Sequence, residues 1–288
     1  MIFKTRGIVF HRIKYSESSI IAKIYTEQFG LCSFLVQGAR KKTSAAKANL
    51  LQPLSLVELV AYHKETSGLQ KMKELKNDHP LISIQNNIVK TTIAIFLSEM
   101  LVRSIREETP NKQLFSFLHQ SIIFFDKLEN PVNFHLLFLI KLSKFLGFFP
   151  QANSMKPRKN VEVGIPVLSE KNTAHIDSPS LTFLEPPVTY QPVQYINSGR
   201  SMEEALFFDL TEGIFEKEKP NHPNFLSCDA SNIFRQLISM DFGDLKSFSI
   251  AGKDRRTLLE KIIDYYRLHL TGFQEIKSHQ VLEMVLNG

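Results

Sequence analysis

Hydrophobic positions along this chain change period near residue 80, and that change divides it in two. Up to about Lys76 the apolar runs are short: Arg6–Lys14, Ile20–Thr26, Leu31–Gln37, Leu54–His63 and Leu69–Leu75. The Leu31–Gln37 and Leu54–His63 runs are apolar at most positions. Turn chemistry separates the runs at Tyr15-Ser-Glu-Ser-Ser19, Gln28-Phe-Gly30 and Thr66-Ser-Gly68. Five strands in about 75 residues predict a closed or nearly closed barrel, either SH3-like or an OB-fold. Gly7 and Gly30, within or beside strands, suit barrel corners.

From Pro80 the period becomes helical. Ile88, Val89, Ile93, Phe96, Leu97, Met100 and Leu101 recur at three and four residues, and Pro110 stops the run. A second helix carries Leu114, Phe117, Leu118, Ile122, Phe125 and Leu128. A third, Phe134–Leu146, is apolar almost all round and belongs at the centre of a bundle, with Gly147 in its C-terminal turn and Pro150 beyond. Residues 151–200 hold six prolines and few periodic apolar positions, so an irregular or partly β insertion is expected. Helices resume over Met202–Leu210 and Asp229–Met240, then along a long helix bearing Leu258 to His269. A last helix over Val281–Leu286 is capped by Ser278. The predicted organisation is a barrel over 1–79 and an α-helical domain over 80–288.

Charge sharpens this division. Residues 1–80 hold 13 Lys and Arg against 6 Asp and Glu, a net of +7, so the remainder nets to −1 and the chain to +6. Between Gln28 and Val57 there is no acidic residue, yet Arg40, Lys41, Lys42 and Lys47 occupy the loop between two strand-like runs. Four cations without a local counter-ion favour a polyanion, because binding releases the polyanion's condensed counterions; an exposed loop that aids solubility is the plainer reading. Lys71 and Lys73 alternate on the last strand and leave one face, where they extend the basic patch or guard an edge. Base stacking would require exposed aromatics. Phe3, Phe10, Tyr25, Phe34 and Tyr62 are candidates, and Tyr25 and Tyr62 stand out because their polar tips tolerate water.

Reactive chemistry is poorly represented. No G-x-x-x-x-G-K-[ST] loop occurs, and the nine histidines are scattered without a third ligand nearby. Glu74-Leu-Lys76 and Glu216-Lys-Glu-Lys219 are the nearest approach to a nuclease's carboxylate cluster, and such charge runs are usually solvated. No cofactor or metal is expected. Cys32 and Cys228 are too few for a disulfide framework and read as small buried residues of a reducing compartment. The charged N-terminus lacks a signal peptide's apolar core, and Phe134–Phe149 is too short and too interrupted to span a bilayer. A cytoplasmic protein without a membrane partner is the expectation.

Taken in order, Gly38-Ala-Arg-Lys-Lys, Leu51-Gln-Pro53 and Leu56-Val-Glu-Leu-Val60 resemble the N-terminal domain of the RecO family of bacterial recombination mediators. Leu97-Ser-Glu99, Arg106-Glu-Glu-Thr-Pro-Asn111, Asn133-Phe-His-Leu136 and Phe145-Leu-Gly-Phe148 resemble its helical domain in Bacteroidetes-type sequences, and Tyr265-Tyr-Arg-Leu-His-Leu270 with Ile276-Lys-Ser278 its last helices. The resemblance implies an N-terminal OB-fold, a helical C-terminal domain and no enzymatic turnover. It further implies binding of single- and double-stranded DNA, strand annealing and cooperation with RecR. Contact with the acidic tail of single-stranded DNA-binding protein and loading of RecA complete the family picture. Many members carry a four-cysteine zinc site, which residues 151–228 cannot form with Cys228 alone. For the tail peptide, a Phe-rich groove at Phe138 and Phe145, rimmed by Arg103, Arg106, Lys141 or Lys144, is expected. An RNA-binding or scaffolding protein, and a metal-dependent nuclease, are the alternatives.

Overall fold

The computed structural model describes residues 2–39, 48–62, 68–106, 109–155 and 206–287. Its N-terminal part contains β1 (Ile2–Lys14), β2 (Ile20–Thr26), β3 (Gly30–Val36), β4 (Leu56–Tyr62) and β5 (Leu69–His79). They close into a barrel in the order β1-β2-β3-β5-β4, the OB-type alternative of the two that the sequence allowed. β1 is long enough to pair with β2 along its second half and with β4 along its first. A short parallel pairing of Ser33–Leu35 with Leu69–Lys71 completes the closure. Cross-strand partners run Ile13, Ile21, Leu35, Lys71, Tyr62 and return to β1 at Ile2. This return well before the starting point is the stagger that a tilted, closed barrel requires. At Gly7 the strands crowd so closely that a Cβ would lie 2.6 Å from Ile24 Cγ2.

Two hydrophobic clusters hold the molecule. The barrel interior contains Phe3, Val9, Ile20, Ala22, Ile24, Phe34, Val36, Leu51, Val57, Leu59 and Met72. The second cluster joins the outer flank of the barrel, through Ile8, Phe10, Tyr25, Leu54 and Leu56, to the helical core. The two predicted domains are therefore fused through a common core.

The helices are α1 (Ile82–Asn86), α2 (Ile88–Ser104), α3 (Lys112–Lys127) and α4 (Phe134–Phe145), then α5 (Cys228–Ser239), α6 (Gly252–His269) and α7 (Ser278–Asn287). Asn87 and Asn111 cap α2 and α3 by accepting from Lys90 N and Leu114 N. α4 is buried over most of its surface, as its uniform apolarity requires. Gly147, at φ 85°, takes the left-handed turn expected after it.

Beyond α4, β6 (Gln151–Met155), β7 (Phe207–Asp209), β8 (Ile214–Glu216) and β9 (Phe225–Leu226) form a sheet in the order β6-β8-β7-β9. The helix expected over Met202–Leu210 is corrected here: residues 207–209 are a strand, because Phe208 and Phe215 meet across a tight hairpin. Most of the predicted insertion lies outside the described residues. The cysteines depart from expectation as well, since Cys32 and Cys228 are only half-buried.

Candidate nucleic-acid interface

β4 and β5 build the floor of a cleft of about 330 Å³ at one end of the barrel. Tyr62 and Lys71 are direct cross-strand partners, and Lys73 leaves the same face two residues on. Val36 and Gln37, at the end of β3, supply the opposite wall. Tyr62 is 39% exposed, whereas Met72 between the two lysines points into the barrel and is buried. Because Leu69–Lys71 is paired to β3, the first lysine does not guard a free edge. Glu74 also lines the cleft and lies 3.9 Å from Lys76. An aromatic ring flanked by two ammonium groups in an open groove can stack a base and hold its phosphates.

Arg40, Lys41, Lys42 and Lys47 lie outside the described residues. Both stems of their loop are fixed in this region of the barrel. Ala39, two residues after the cleft-lining Gln37, is buried in the interior cluster. On the far side Arg12 Nη1 donates to the Ala48 carbonyl at 3.0 Å, and Leu51 is wholly buried.

Four of the five barrel aromatics considered for stacking are buried, which corrects the expectation for Tyr25 in particular. Tyr25 is 1% exposed and lies between Phe10 at 5.6 Å and Phe115 of α3 at 6.4 Å. Its ring is on the flank of the barrel that the helices cover, so it cannot meet a base. Tyr15, 61% exposed in the turn after β1, is a further aromatic on the surface that its turn sequence alone does not single out. Its flanking Lys14 and Ser16 were the available signal.

The cations expected to rim one partner groove divide between two places. Arg103 donates to Gln274, and Arg106 to the carbonyls of Thr271 and Gly272, so both clip the loop before α7. Lys141 instead donates to the Ile238 carbonyl at 3.2 Å and lies 3.8 Å from Asp241. Burial lowers its pKa, with Asp241 opposing. Lys144 is exposed on the same helix. Phe138 is core, but Phe145 is half-buried and stacks at 4.7 Å on Phe117, which also meets Phe242. The surface-facing aromatics that gather are thus Phe117, Phe124, Phe145 and Phe242.

Charged contacts fix the barrel against the helices. Arg6 donates to both carboxylate oxygens of Glu27 at 3.0 and 2.8 Å and lies over Phe115. That hydrogen bonding holds Glu27 below the usual carboxylate range, against the opposing effect of burial. His119 of α3 meets Asp78 of β5 at 2.7 Å. Among the described residues no group of three or more His, Cys, Asp and Glu is placed to hold a metal ion. None of the described helices is long and apolar enough to cross a membrane.

A closed OB-type barrel with one flank sunk into a helical bundle defines a barrel-plus-helices class of protein. Two family models match: one described as recombination protein O N terminal over residues 1–78, the other as recombination protein O C terminal over residues 85–155. Among curated relatives, the DNA repair protein RecO of Azobacteroides pseudotrichonymphae genomovar. CFP2 is 31% identical over all of both chains. Those of Phocaeicola vulgatus and Bacteroides fragilis are 32% and 33% identical over 98% of each chain. The chain belongs to the RecO family, whose work is DNA repair and recombination.

Proposed function

We propose that this chain is a non-enzymatic recombination mediator of the cytoplasm. It holds single- and double-stranded DNA on the barrel, anneals complementary strands, and with RecR helps load RecA onto DNA coated with single-stranded DNA-binding protein. The observation that carries this reading is the cleft of Tyr62, Lys71 and Lys73, with the basic loop's stems fixed beside it. One positive surface that holds two strands lowers their mutual repulsion without reading sequence. The test is annealing of complementary oligonucleotides without magnesium, with and without single-stranded DNA-binding protein. Acceleration under both conditions is expected; none in dilute buffer overturns the reading. Equal-length RNA serves as the comparison, and equal affinity for RNA would favour an RNA-binding role.

The partner half of this proposal rests on the half-buried aromatics Phe117, Phe124, Phe145 and Phe242 beside Lys141. An acidic peptide ending in an aromatic residue fits an apolar groove with a cation at its rim. Titration with such a peptide at low salt is expected to saturate, and Phe145→Ala to weaken it about tenfold.

A further inference from the structure

The outer face of the barrel carries a second row of side chains beside the one that leads into the cleft. Cross-strand partners run His11, Lys23, Ser33 and Leu69, two residues along from Ile13, Ile21, Leu35 and Lys71. His11 is in this row because β1 bulges between Val9 and His11. Without the bulge, strict alternation would send the imidazole into the barrel beside Val9's neighbours. With it, Phe10 packs into the helical core, its carbonyl accepts from Ser98 Oγ, and His11 emerges exposed on the same side as Lys23.

A third cation approaches from the helices. Arg103 of α2 is close enough to act on the His11 ring, donates through Nη1 to Gln274, and leaves its buried Nε without an acceptor among the described residues. Among the described residues the one carboxylate in range, Glu99, is already engaged by Ser278 N, Ser278 Oγ and Lys277 N. Lys23 makes no ion pair among the described residues. Shielding of the ring from water lowers the pKa of His11, and repulsion by Lys23 and Arg103 lowers it further, with Glu99 opposing. Two strand spacings across and two residues along separate Lys23 from Lys71, about 12 Å, so one nucleic-acid strand can span both rows.

We infer that His11, Lys23 and Arg103 form a phosphate-holding cluster on the barrel flank, and that nucleic-acid binding there takes up a proton on His11. This rests on the DNA-binding reading above. A phosphodiester supplies the missing counter-charge, favours the imidazolium, and ties affinity to pH.

The experiment is fluorescence anisotropy of a labelled thymidine oligonucleotide at constant ionic strength, about 50 mM salt, from about pH 8 down to 5.5. The full chain is compared with His11→Gln, His11→Lys and Lys23→Met, each checked for an unchanged melting temperature. The wild type is expected to tighten roughly five- to tenfold on acidification, one more phosphate contact's worth. His11→Gln should lose that gain, and His11→Lys should bind at the acid-limit affinity throughout. Lys23→Met should weaken binding at every pH. Binding with superimposable pH profiles for the wild type, His11→Gln and His11→Lys overturns this inference alone. No binding by any form at any pH overturns the DNA-binding reading with it. Inorganic phosphate replacing chloride at equal ionic strength should compete only weakly. Full displacement by millimolar phosphate would make the ligand a small phosphate and also overturn the proposal.

Discussion

Tyr62 and Tyr25 occupy similar strand patterns but opposite environments. Tyr62 is 39% exposed in the cleft, and Tyr62→Ala is expected to reduce single-stranded oligonucleotide affinity by about 1–3 kcal/mol, with little change in melting temperature. Tyr25→Ala should do the reverse, costing about 3–5 kcal/mol of stability by opening a cavity between Phe10 and Phe115. Binding isotherms and denaturant melts of the two variants separate the roles. At His135 the environment is sharper still. The ring is fully buried in α4, both nitrogens lack hydrogen-bond partners among the described residues, and burial with the nearby Arg255 pushes its pKa down to about 3. A depressed histidine binds its proton more readily in the unfolded chain. Its contribution to stability is therefore whole above about pH 6.5 and falls away as pH drops toward 3. At pH 5 the loss is about 2 kcal/mol. His135→Leu should abolish that pH dependence and raise stability at neutral pH, as shown by melts across the range.

Among the elements, α7 depends on a residue far away in sequence. Burial raises the pKa of Glu99, but donation by Ser278 and Lys277, helped by Arg103, outweighs it and keeps the carboxylate charged. The N-terminus of α7 is thus held by Glu99 of α2, not capped by Ser278, whose hydroxyl donates to Glu99 at 2.5 Å. Glu99→Ala is expected to cost about 1–3 kcal/mol and to speed amide exchange over residues 278–287 first, a pattern that hydrogen exchange reads directly. A helix's apolar period reveals its existence, but not which remote carboxylate satisfies its end. The strand at 207–209 was missed for a related reason: Phe207 and Phe208 lack period-two spacing, and their partners lie in β8 and β9.

Across the whole molecule, fusion of barrel and bundle sets the behaviour. Removing the helices would expose Ile8, Phe10, Tyr25, Leu54 and Leu56, each worth about 1.5–3 kcal/mol of burial. A fragment of residues 1–79 should therefore melt well below the full chain and bind hydrophobic dye. Equal melting temperatures would show that the barrel does not need its partner. The fusion also assigns the barrel's faces: helices cover the flank with Tyr25, while Lys71 and Tyr62 line an open cleft. For the basic loop, alanine at Arg40, Lys41, Lys42 and Lys47 should remove a log–log salt slope of roughly −3 from oligonucleotide binding. An unchanged slope would place the phosphate contacts elsewhere.

The sequence by itself determined what nearest neighbours along the chain decide. Alternation and turn residues specified five strands, the three-four period specified the main helices, and uneven charge marked the first eighty residues. Only the tertiary structure decided which side of a strand is the outside of the molecule. Period two tells two faces apart but not which one a helix will cover. Tyr25, the bulge that turns His11 outward, Arg103, Arg106 and Lys141 were accordingly placed by contacts between elements remote in sequence.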